Sequence, residues 1–316
     1  MTAYILRRLV LLIPVMLVVG IVVFALVHIT PGDPAAVILG DSGTPEDVAR
    51  VRKQLGLDQP LPVQFGEWIL GVVQFDFGDS IFLGESVRGA LLSRFQPTIL
   101  LTMYALTVQL LIGIPAGVLS AVRHNSILDR VMTVLAISGA AVPTFLLGIL
   151  LILVFSVKLN WLPSGRYVPL TDDPIAHVKS MLLPAFALGF SSAGLLARLV
   201  RSSMLDVLRE DYVRTAFAKG LPEKLVVIRH ALRNALIPAM TVVGTSVGAL
   251  LGGAVVTETV FTIPGMGRLV VQSIARRDYP VIQGAVMVIA MTYVLVNLLV
   301  DILYVYADPR VRLGGE

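Results

Sequence analysis

Residues 203–238 read SMLDVLREDYVRTAFAKGLPEKLVVIRHALRNALIP and lie between two long runs that contain no Asp, Glu, Lys or Arg. The segment is rich in charge, and its apolar residues recur at helical spacing. Gly220-Leu221-Pro222 interrupts it once. Because glycine suits the position just past a helix end and proline the first turn of a helix, the pattern predicts a helix, a sharp turn and a second helix.

The composition is that of a membrane protein. The 316 residues are 56% hydrophobic and 15% charged, against about 25% charged in a typical soluble domain. The absence of cysteine excludes disulfides, thiolate metal sites and cysteine nucleophiles. The four histidines are far apart and show no zinc spacing, and no phosphate-binding loop motif occurs. We therefore expect a non-catalytic chain without catalytic residues, metal site or cofactor; any ATP hydrolysis would belong to another subunit.

Uncharged runs long enough to cross a bilayer recur along the chain. A spanning helix needs about 20 predominantly apolar residues, and alternating barrel strands are not visible. The sequence therefore predicts an all-α, polytopic membrane protein with six transmembrane helices. The six runs are Leu9–Ile29, Thr98–Val122, Val131–Val157, Ser180–Ala197, Asn234–Thr257 and Tyr279–Val300.

Basic residues orient the predicted spans. If the N-terminus is cytoplasmic, the cytoplasmic segments carry an excess of Lys and Arg, as the positive-inside rule requires, and residues 30–97 form an acidic external segment. Six spans then place both termini in the cytoplasm. The first run could instead be a signal peptide, but it is longer than the usual apolar region and lacks a small-residue cleavage site, which favours an uncleaved anchor.

Residues 30–97 are the largest predicted segment outside the membrane. Short helices are predicted over Thr44–Leu55, which Thr44 would cap, and over about Val63–Gln74, and a turn over Phe77–Ser80. The segment could be a simple external cap or could receive a partner.

Small residues and prolines mark the predicted spans. Glycine and alanine recur every four residues, a spacing that lets helix backbones approach closely in lipid. Proline within or at the end of a span predicts a kink or a break. The small-residue faces are Gly244, Gly248 and Gly252; Ala185, Gly189, Ala193 and Ala197; and Gly113 with Gly117, and the prolines are Pro115, Pro143, Pro184 and Pro238.

The charged segment divides into two predicted helices, Ser203–Lys219 and Glu223–Ala235. On the first, Leu205, Leu208, Tyr212 and Ala216 would share one face. An amphipathic element lying on lipid headgroups is one interpretation. The turn at Gly220 favours a second interpretation, the docking of a soluble partner, because a helix that lies flat on the membrane surface does not need to reverse its direction.

Several motifs resemble one family, the ABC importer permeases of dipeptide, oligopeptide and nickel transport systems, and within it the first of two permease subunits. The resemblance covers nearly the whole chain. It rests on RRL at 7–9, PGDP at 31–34, DYVRTAFAKG at 211–220, RHALRNALIP at 229–238, ETVFTIPGMGRL at 258–269, DYPVIQG at 278–284 and DPR at 308–310.

The resemblance implies a type I ABC importer permease fold in a bacterial-type cytoplasmic (inner) membrane. Its implied domains are residues 1–97, an anchor helix with the external segment; residues 98–307, a five-helix core with a coupling segment at 201–234; and residues 308–316, a cytoplasmic tail. The implied partners are a second homologous permease, one or two cytoplasmic ATPase subunits, an extracytoplasmic substrate-binding protein and the lipid bilayer, with no nucleic acid.

The implied functional residues form two groups. The ATPase-coupling residues would be Glu210, Asp211, Tyr212, Arg214, Ala216, Lys219 and Gly220. The external mouth would hold Glu258, Pro264, Gly265 and Gly267. The general importer loop has Glu-Ala-Ala before its glycine, and Arg214 occupies the place of that Glu, so no Glu role is assigned to it.

A peptide-sized cargo is the expected substrate, and the same transporter class with nickel or glutathione is an alternative. The rival from another class is an ion-coupled secondary transporter. Such coupling usually needs ionisable groups in the membrane, and the six runs contain no Asp, Glu, Lys or Arg.

Overall fold

Helices make up nearly all of the regular structure in the computed structural model, which describes residues 2–29, 39, 44–54 and 57–307. Within those ranges the β pairing is limited to an isolated bridge between Asp79 and Ser86. The all-α prediction is confirmed. The helices are α1 (Thr2–Ile29), α2 (Pro45–Gln54), α3 (Leu61–Val73), α4 (Val87–Val122), α5 (Ile127–Ala141), α6 (Thr144–Lys158), α7 (Pro174–Val207), α8 (Asp211–Ala218), α9 (Glu223–Val260), α10 (Met266–Arg276) and α11 (Tyr279–Ala307).

The chain divides into two compact units. The first combines residues up to Pro97 with Pro264–Val294, and the second combines Thr98–Ile263 with residues from Leu295 onward. The predicted boundary after residue 97 coincides with this division, whereas Pro264–Val294 groups with the N-terminal residues. The predicted tail, residues 308–316, lies outside the described residues. The division into two compact units does not show what each part of the chain does, so the predicted functional domains stay a prediction.

The first unit is centred on a buried apolar cluster. Val87 and Leu91 of α4 pack with Met266 and Leu269 of α10 and with Val281 of α11. Such a cluster holds the three helices together by burial of apolar surface.

A buried aspartate fastens the loop before α4. The Asp278 carboxylate is 1% exposed and accepts hydrogen bonds from the Ser80 hydroxyl at 2.5 Å and the Ile81 amide at 3.3 Å. The turn predicted at Phe77–Ser80 is displaced: Gly78 has φ +77°, but Asp79 pairs with Ser86, and the turns lie at residues 74–75 and 81–83.

Helix α2 begins as the capping pattern predicts. The Asp47 amide donates to the Thr44 hydroxyl at 3.2 Å, and the Thr44 hydroxyl donates to the Asp47 carboxylate at 2.6 Å. These reciprocal bonds satisfy helix-start groups that would otherwise lack partners. The Thr44 hydrogen bonds lower the pKa of the Asp47 carboxyl below its usual value.

Helix α3 packs on α1 through aromatic rings. Phe24 of α1 lies 5.4 Å from Phe65 and 5.9 Å from Trp68, measured between ring centroids. Val73, the last residue of α3, is 72% exposed and lies outside this aromatic packing.

The second unit has a large apolar core. Leu101 of α4, Met181 and Leu188 of α7, and Leu250 of α9 are all nearly inaccessible to solvent and form one cluster with Phe261. The predicted run Ser180–Ala197 is the middle of a 34-residue helix, α7, which is long enough to cross a bilayer.

Close helix approach at small residues is confirmed for the pair α4 and α7. A Cβ added at Gly117 would lie 2.6 Å from the Ala197 carbonyl oxygen, and one at Gly113 would lie 3.1 Å from the Ala193 carbonyl oxygen. The two backbones therefore come together at a distance that larger side chains would prevent. At Gly252, by contrast, no atom lies within 4 Å of the place that a Cβ would occupy, so this glycine does not mark a contact within the described part of the subunit.

The predicted break at Pro143 is confirmed. Helices α5 and α6 meet there at an angle of 106°, because proline cannot donate to the preceding turn and disfavours helical backbone at the residue before it. The predicted run Val131–Val157 is therefore two helices. Pro115, Pro184 and Pro238 lie inside continuous helices, where no break occurs.

Helices suited to crossing a membrane are present in both units. By length and composition four of the described helices qualify, α4, α7, α9 and the Tyr279–Val300 part of α11, and the bent pair α5–α6 makes a fifth if it counts as one span. The apolar stretch Val10–Leu26 of α1, whose side chains the structure describes in part, is shorter than the 18 residues that the other helices reach. The number six stays a prediction.

Candidate functional site

The coupling segment is a helical hairpin, but its first helix differs from the prediction. The prediction of a single helix over Ser203–Lys219 is wrong, because α7 ends at Val207 and α8 begins at Asp211. Glu210 between them has an extended backbone (φ −67°, ψ 144°). After the break, Val213 is buried together with Ala216, where the uninterrupted pattern placed Tyr212 beside Ala216.

A small apolar cluster holds the hairpin closed. Val213, Ala216 and Val226 are buried against one another, with Val207, Leu208 and Leu221 packed around them. Of the predicted coupling residues, Ala216 therefore lies inside the hairpin at 5% exposure and supports its shape. It is not part of the surface that a partner could contact.

The turn of the hairpin depends on Gly220, as predicted. Its φ is +78°, in the left-handed region that residues with a Cβ seldom adopt. The Leu221 amide donates to the Ala216 carbonyl at 3.4 Å and the Gly220 amide donates to the Phe217 carbonyl at 2.9 Å, which satisfies carbonyls at the end of α8. Pro222 then precedes the first residue of α9.

Tyr212 links the two arms of the hairpin. The Asn234 side-chain amide donates to the Tyr212 hydroxyl oxygen at 2.7 Å. Tyr212 keeps 42% of its surface exposed, so it can both brace α8 on α9 and contact a partner.

The outer surface of the hairpin combines charge with exposed apolar side chains. The predicted residues Glu210, Asp211, Arg214 and Lys219 are exposed there. Arg214 and Asp211 approach to 3.6 Å, but both are highly exposed, so this ion pair contributes little to stability.

Sequence reasoning missed the apolar part of this surface. Phe217 is 44% exposed and Ile228 is 53% exposed. An aromatic residue in a charged helix is the signal that could have identified Phe217, since helical periodicity alone places it off the buried face.

The first turns of α9 are π-helical over Val226–Ala231. An inserted residue of this kind shifts the register of the helix, and such bulges are frequent at functional sites. It brings Val226, Val227 and Ala231 onto the buried side of the helix.

The predicted external-mouth residues belong to different units. Glu258, in the second unit, is completely buried, and its carboxylate accepts a hydrogen bond from the Thr98 hydroxyl at 2.5 Å. A buried carboxylate cannot contact a protein partner directly, and the place of Glu258 at the external mouth stays a prediction.

The other three mouth residues begin α10 in the first unit. Pro264 is exposed, Gly265 is the residue that precedes the helix, and Gly267 is buried in the first turn. Only Pro264 of these is available for contact.

The described residues hold no group of three or more His, Asp or Glu side chains placed to bind a metal ion. The hairpin follows the end of the long helix α7 and is closed by its own buried cluster, and its exposed surface is suited to protein contact.

Two family models together match almost the whole chain. Residues 113–313 match the binding-protein-dependent transport system inner membrane component, and residues 1–102 match the N-terminal part of a membrane component of such systems.

Curated proteins align with the chain from end to end. A Brucella abortus (strain 2308) protein named as a peptide transport system permease is 46% identical over 312 residues, covering 99% of each chain. The glutathione transport system permease protein GsiC of Salmonella choleraesuis (strain SC-B67) is also 46% identical over 312 residues, again covering 99% of each chain.

A solved structure shares the fold. A chain from inward-facing crystals of the MetNI methionine ABC transporter aligns with a TM-score of 0.56 at 17% identity, covering 69% of this chain and 96% of that one.

Proposed function

Because this chain belongs to the family of binding-protein-dependent transport system inner membrane components, it is a permease subunit of an ATP-driven importer, and we propose that its cargo is a peptide. The subunit is non-catalytic and works with other ABC subunits in a bacterial inner membrane, where it is a multi-pass protein. The observation that carries the peptide proposal is the 46% identity over 312 residues with a relative named as a peptide transport permease.

Glutathione is a second candidate cargo. The equally similar Salmonella relative is named as a glutathione transport permease, and glutathione is itself a tripeptide. Both candidates belong to one chemical class, short polar molecules with peptide bonds and terminal charges.

The proposed partners are a second homologous permease, one or two cytoplasmic ATPase subunits and an extracytoplasmic substrate-binding protein. The α8–α9 hairpin supports an ATPase contact. Its buried cluster makes it rigid, and its exposed surface offers Phe217 and Tyr212 beside charged side chains. Exposed aromatic residues flanked by charge are typical anchors of protein interfaces.

The proposed coupling proceeds through this hairpin. ATP-driven closure of the ATPase pair would displace α8, and the displacement would pass into α7 and α9, which are continuous with the core helices of the second unit. Glu210, Asp211, Arg214 and Lys219 would orient the contact, Tyr212 and Phe217 would anchor it, and Ala216 and Gly220 would maintain the hairpin's shape.

Reconstitution tests the proposal. Liposomes containing the permease pair, the ATPases and the binding protein should accumulate a labelled mixture of di- to pentapeptides when ATP is supplied on the ATPase side. Vanadate should stop this uptake and a protonophore should not. The purified subunit alone should accumulate nothing. Uptake by the subunit alone, driven by an ion gradient, would instead establish a secondary transporter.

Replacing Phe217 by alanine should weaken ATPase binding while leaving the permease folded. The side chain is 44% exposed and adds little to the core, whereas truncating an interface anchor typically costs more than about 1 kcal/mol, or about fivefold in affinity. The measurement is the amount of ATPase that co-purifies with the permease.

Phe145 provides the matched control for this variant. It is 49% exposed on α6, outside the hairpin, so Phe145→Ala should leave co-purification unchanged. Equal ATPase yields from Phe217→Ala and the unmodified protein would remove Phe217 from the proposed interface.

The proposed orientation places both termini and the hairpin in the cytoplasm. Because the chain has no cysteine, single introduced cysteines report their side without interference. Pro264→Cys should react with a membrane-impermeant maleimide in intact spheroplasts, whereas Lys219→Cys should react only after permeabilisation. Both positions are exposed, and the reverse pattern would invert the topology.

A further inference from the structure

Asp129, near the start of α5, joins separate helices of the second unit. Its side chain is 5% exposed and faces Arg201 of α7. The Arg201 Nε–H donates to one carboxylate oxygen at 2.7 Å, and its Nη2–H donates to the other at 2.8 Å. This bidentate ion pair fixes the orientation of both side chains, which a single hydrogen bond would not do.

Other elements contribute to the same carboxylate. The Ser120 hydroxyl of α4 donates to one oxygen, and the Asn125 amide, in the turn between α4 and α5, donates to the other at 3.0 Å. His124 lies at the edge of the cluster, with its Nδ1 3.4 Å from the carboxylate and 3.1 Å from Arg201 Nη2. Asp129 thus connects α4, the α4–α5 turn and α7.

The end of α7 is packed into the base of the coupling hairpin. Val200 and Met204 of α7 are completely buried in a cluster with Val227 and Ala231 of α9. Arg201 lies between these two buried residues on α7, six residues before the helix ends. This packing is a direct route by which a displacement of the hairpin would reach Arg201.

Stability alone is a weak reason for this arrangement. The Asp129 carboxylate is buried and costly to desolvate, although Arg201 keeps 28% of its side chain exposed, and apolar residues of similar size often stabilise a buried site as well as an ion pair or better. What the pair supplies, and apolar packing does not, is a directional link between two helices.

We propose that Asp129 and Arg201 are positioning residues that transmit the motion of the coupling hairpin to the α4–α5 turn. The proposal rests on the proposed function of the hairpin. With the pair intact, the α4–α5 turn and the end of α7 move as one body when the ATPases close. Without it, the hairpin moves while the turn lags behind, and ATP is hydrolysed with less cargo transported.

Spin-label distances test the mechanical part without any cargo. Nitroxides at Ile127→Cys, at the start of α5, and Arg209→Cys, just after α7, are both at exposed positions. In the assembled transporter their separation should stay the same with and without ATP and vanadate. In the double variant Asp129→Leu, Arg201→Met, ATP and vanadate should shift or broaden the distance distribution. A distribution unaffected by the double variant would overturn the proposal.

Coupled turnover tests the functional part. In proteoliposomes supplied with labelled di- to pentapeptides, Asp129→Asn and the double variant should each lower peptide uptake per ATP hydrolysed by about tenfold, within the usual range of coupling between sites. Arg198→Met, an exposed arginine on the same helix, should leave the ratio unchanged.

The double variant separates transmission from folding, because it leaves no unpaired charge buried. If it restores normal uptake per ATP where Asp129→Asn does not, the pair is only structural and the proposal fails. If the unmodified transporter shows no ATP-dependent uptake, the proposed function fails instead, and the spin-label result still decides the mechanical link.

Discussion

Peptide uptake should fall about five- to thirtyfold when Gly220 is replaced by valine. The backbone there has φ +78°, and a residue with a Cβ pays about 1–2 kcal/mol in that region, which corresponds to this change in equilibrium. A β-branched residue is the least tolerant of it. The turn would open, the Leu221 amide would lose the Ala216 carbonyl, and α8 would no longer meet the ATPase in a fixed orientation. The measurement is ATP-dependent uptake together with ATPase co-purification.

Asparagine at position 220 is the matched control. Asparagine adopts positive φ far more readily than valine, and no atom lies within 4 Å of the Cβ position, so the added side chain has room. Gly220→Asn should keep most of the uptake. If Gly220→Val and Gly220→Asn were equally active, backbone conformation at this turn would have no part in coupling.

Replacing Gly189 by alanine should destabilise the permease. A Cβ at Gly189 would collide with the Ala105 carbonyl oxygen of α4 and would lie 2.9 Å from the Val108 Cβ. Both are fixed parts of the neighbouring helix, so α4 and α7 must separate. Overpacking of this kind costs about 1–3 kcal/mol. The thermal unfolding midpoint of the detergent-purified transporter should drop by several degrees.

Gly252→Ala makes the same chemical change at a position that has space within the described part of the subunit. No atom lies within 4 Å, and alanine favours helix over glycine by up to about 1 kcal/mol, so the midpoint should stay the same or rise. Equal losses at Gly189 and Gly252 would mean that loss of glycine itself, and not helix approach, causes the effect.

The sequence predicted that the chain is all-α, that ATP hydrolysis belongs to another subunit, and that the hairpin reverses at Gly220. Long uncharged runs can only be helices in a bilayer, because every backbone amide and carbonyl must be paired within its own segment. The Gly220-Leu221-Pro222 step predicted the reversal, since each residue type has one strongly preferred role beside a helix end. The Thr44–Asp47 cap and the Pro143 break were predictable for the same reason, as both depend on bonds within a few residues.

The predictions failed where contact between distant residues decides the outcome. Ser203–Lys219 has an uninterrupted helical pattern, yet packing of Val213 and Ala216 on Val226 favours two helices with a break between them. Nothing local in the sequence marks Glu258 as buried, and its hydrogen-bond partner Thr98 lies 160 positions away along the chain, on α4.

The sequence by itself therefore determined the all-α class, the membrane character, the position of the hairpin turn and the family of this permease. The tertiary structure decided which hairpin residues face outward and at which glycines two helix backbones come into contact. It also decided that Asp129 meets Arg201, 72 positions away along the chain. The reason is physical: spacing within one helix fixes which residues share a face, whereas the partner of that face depends on how whole helices pack.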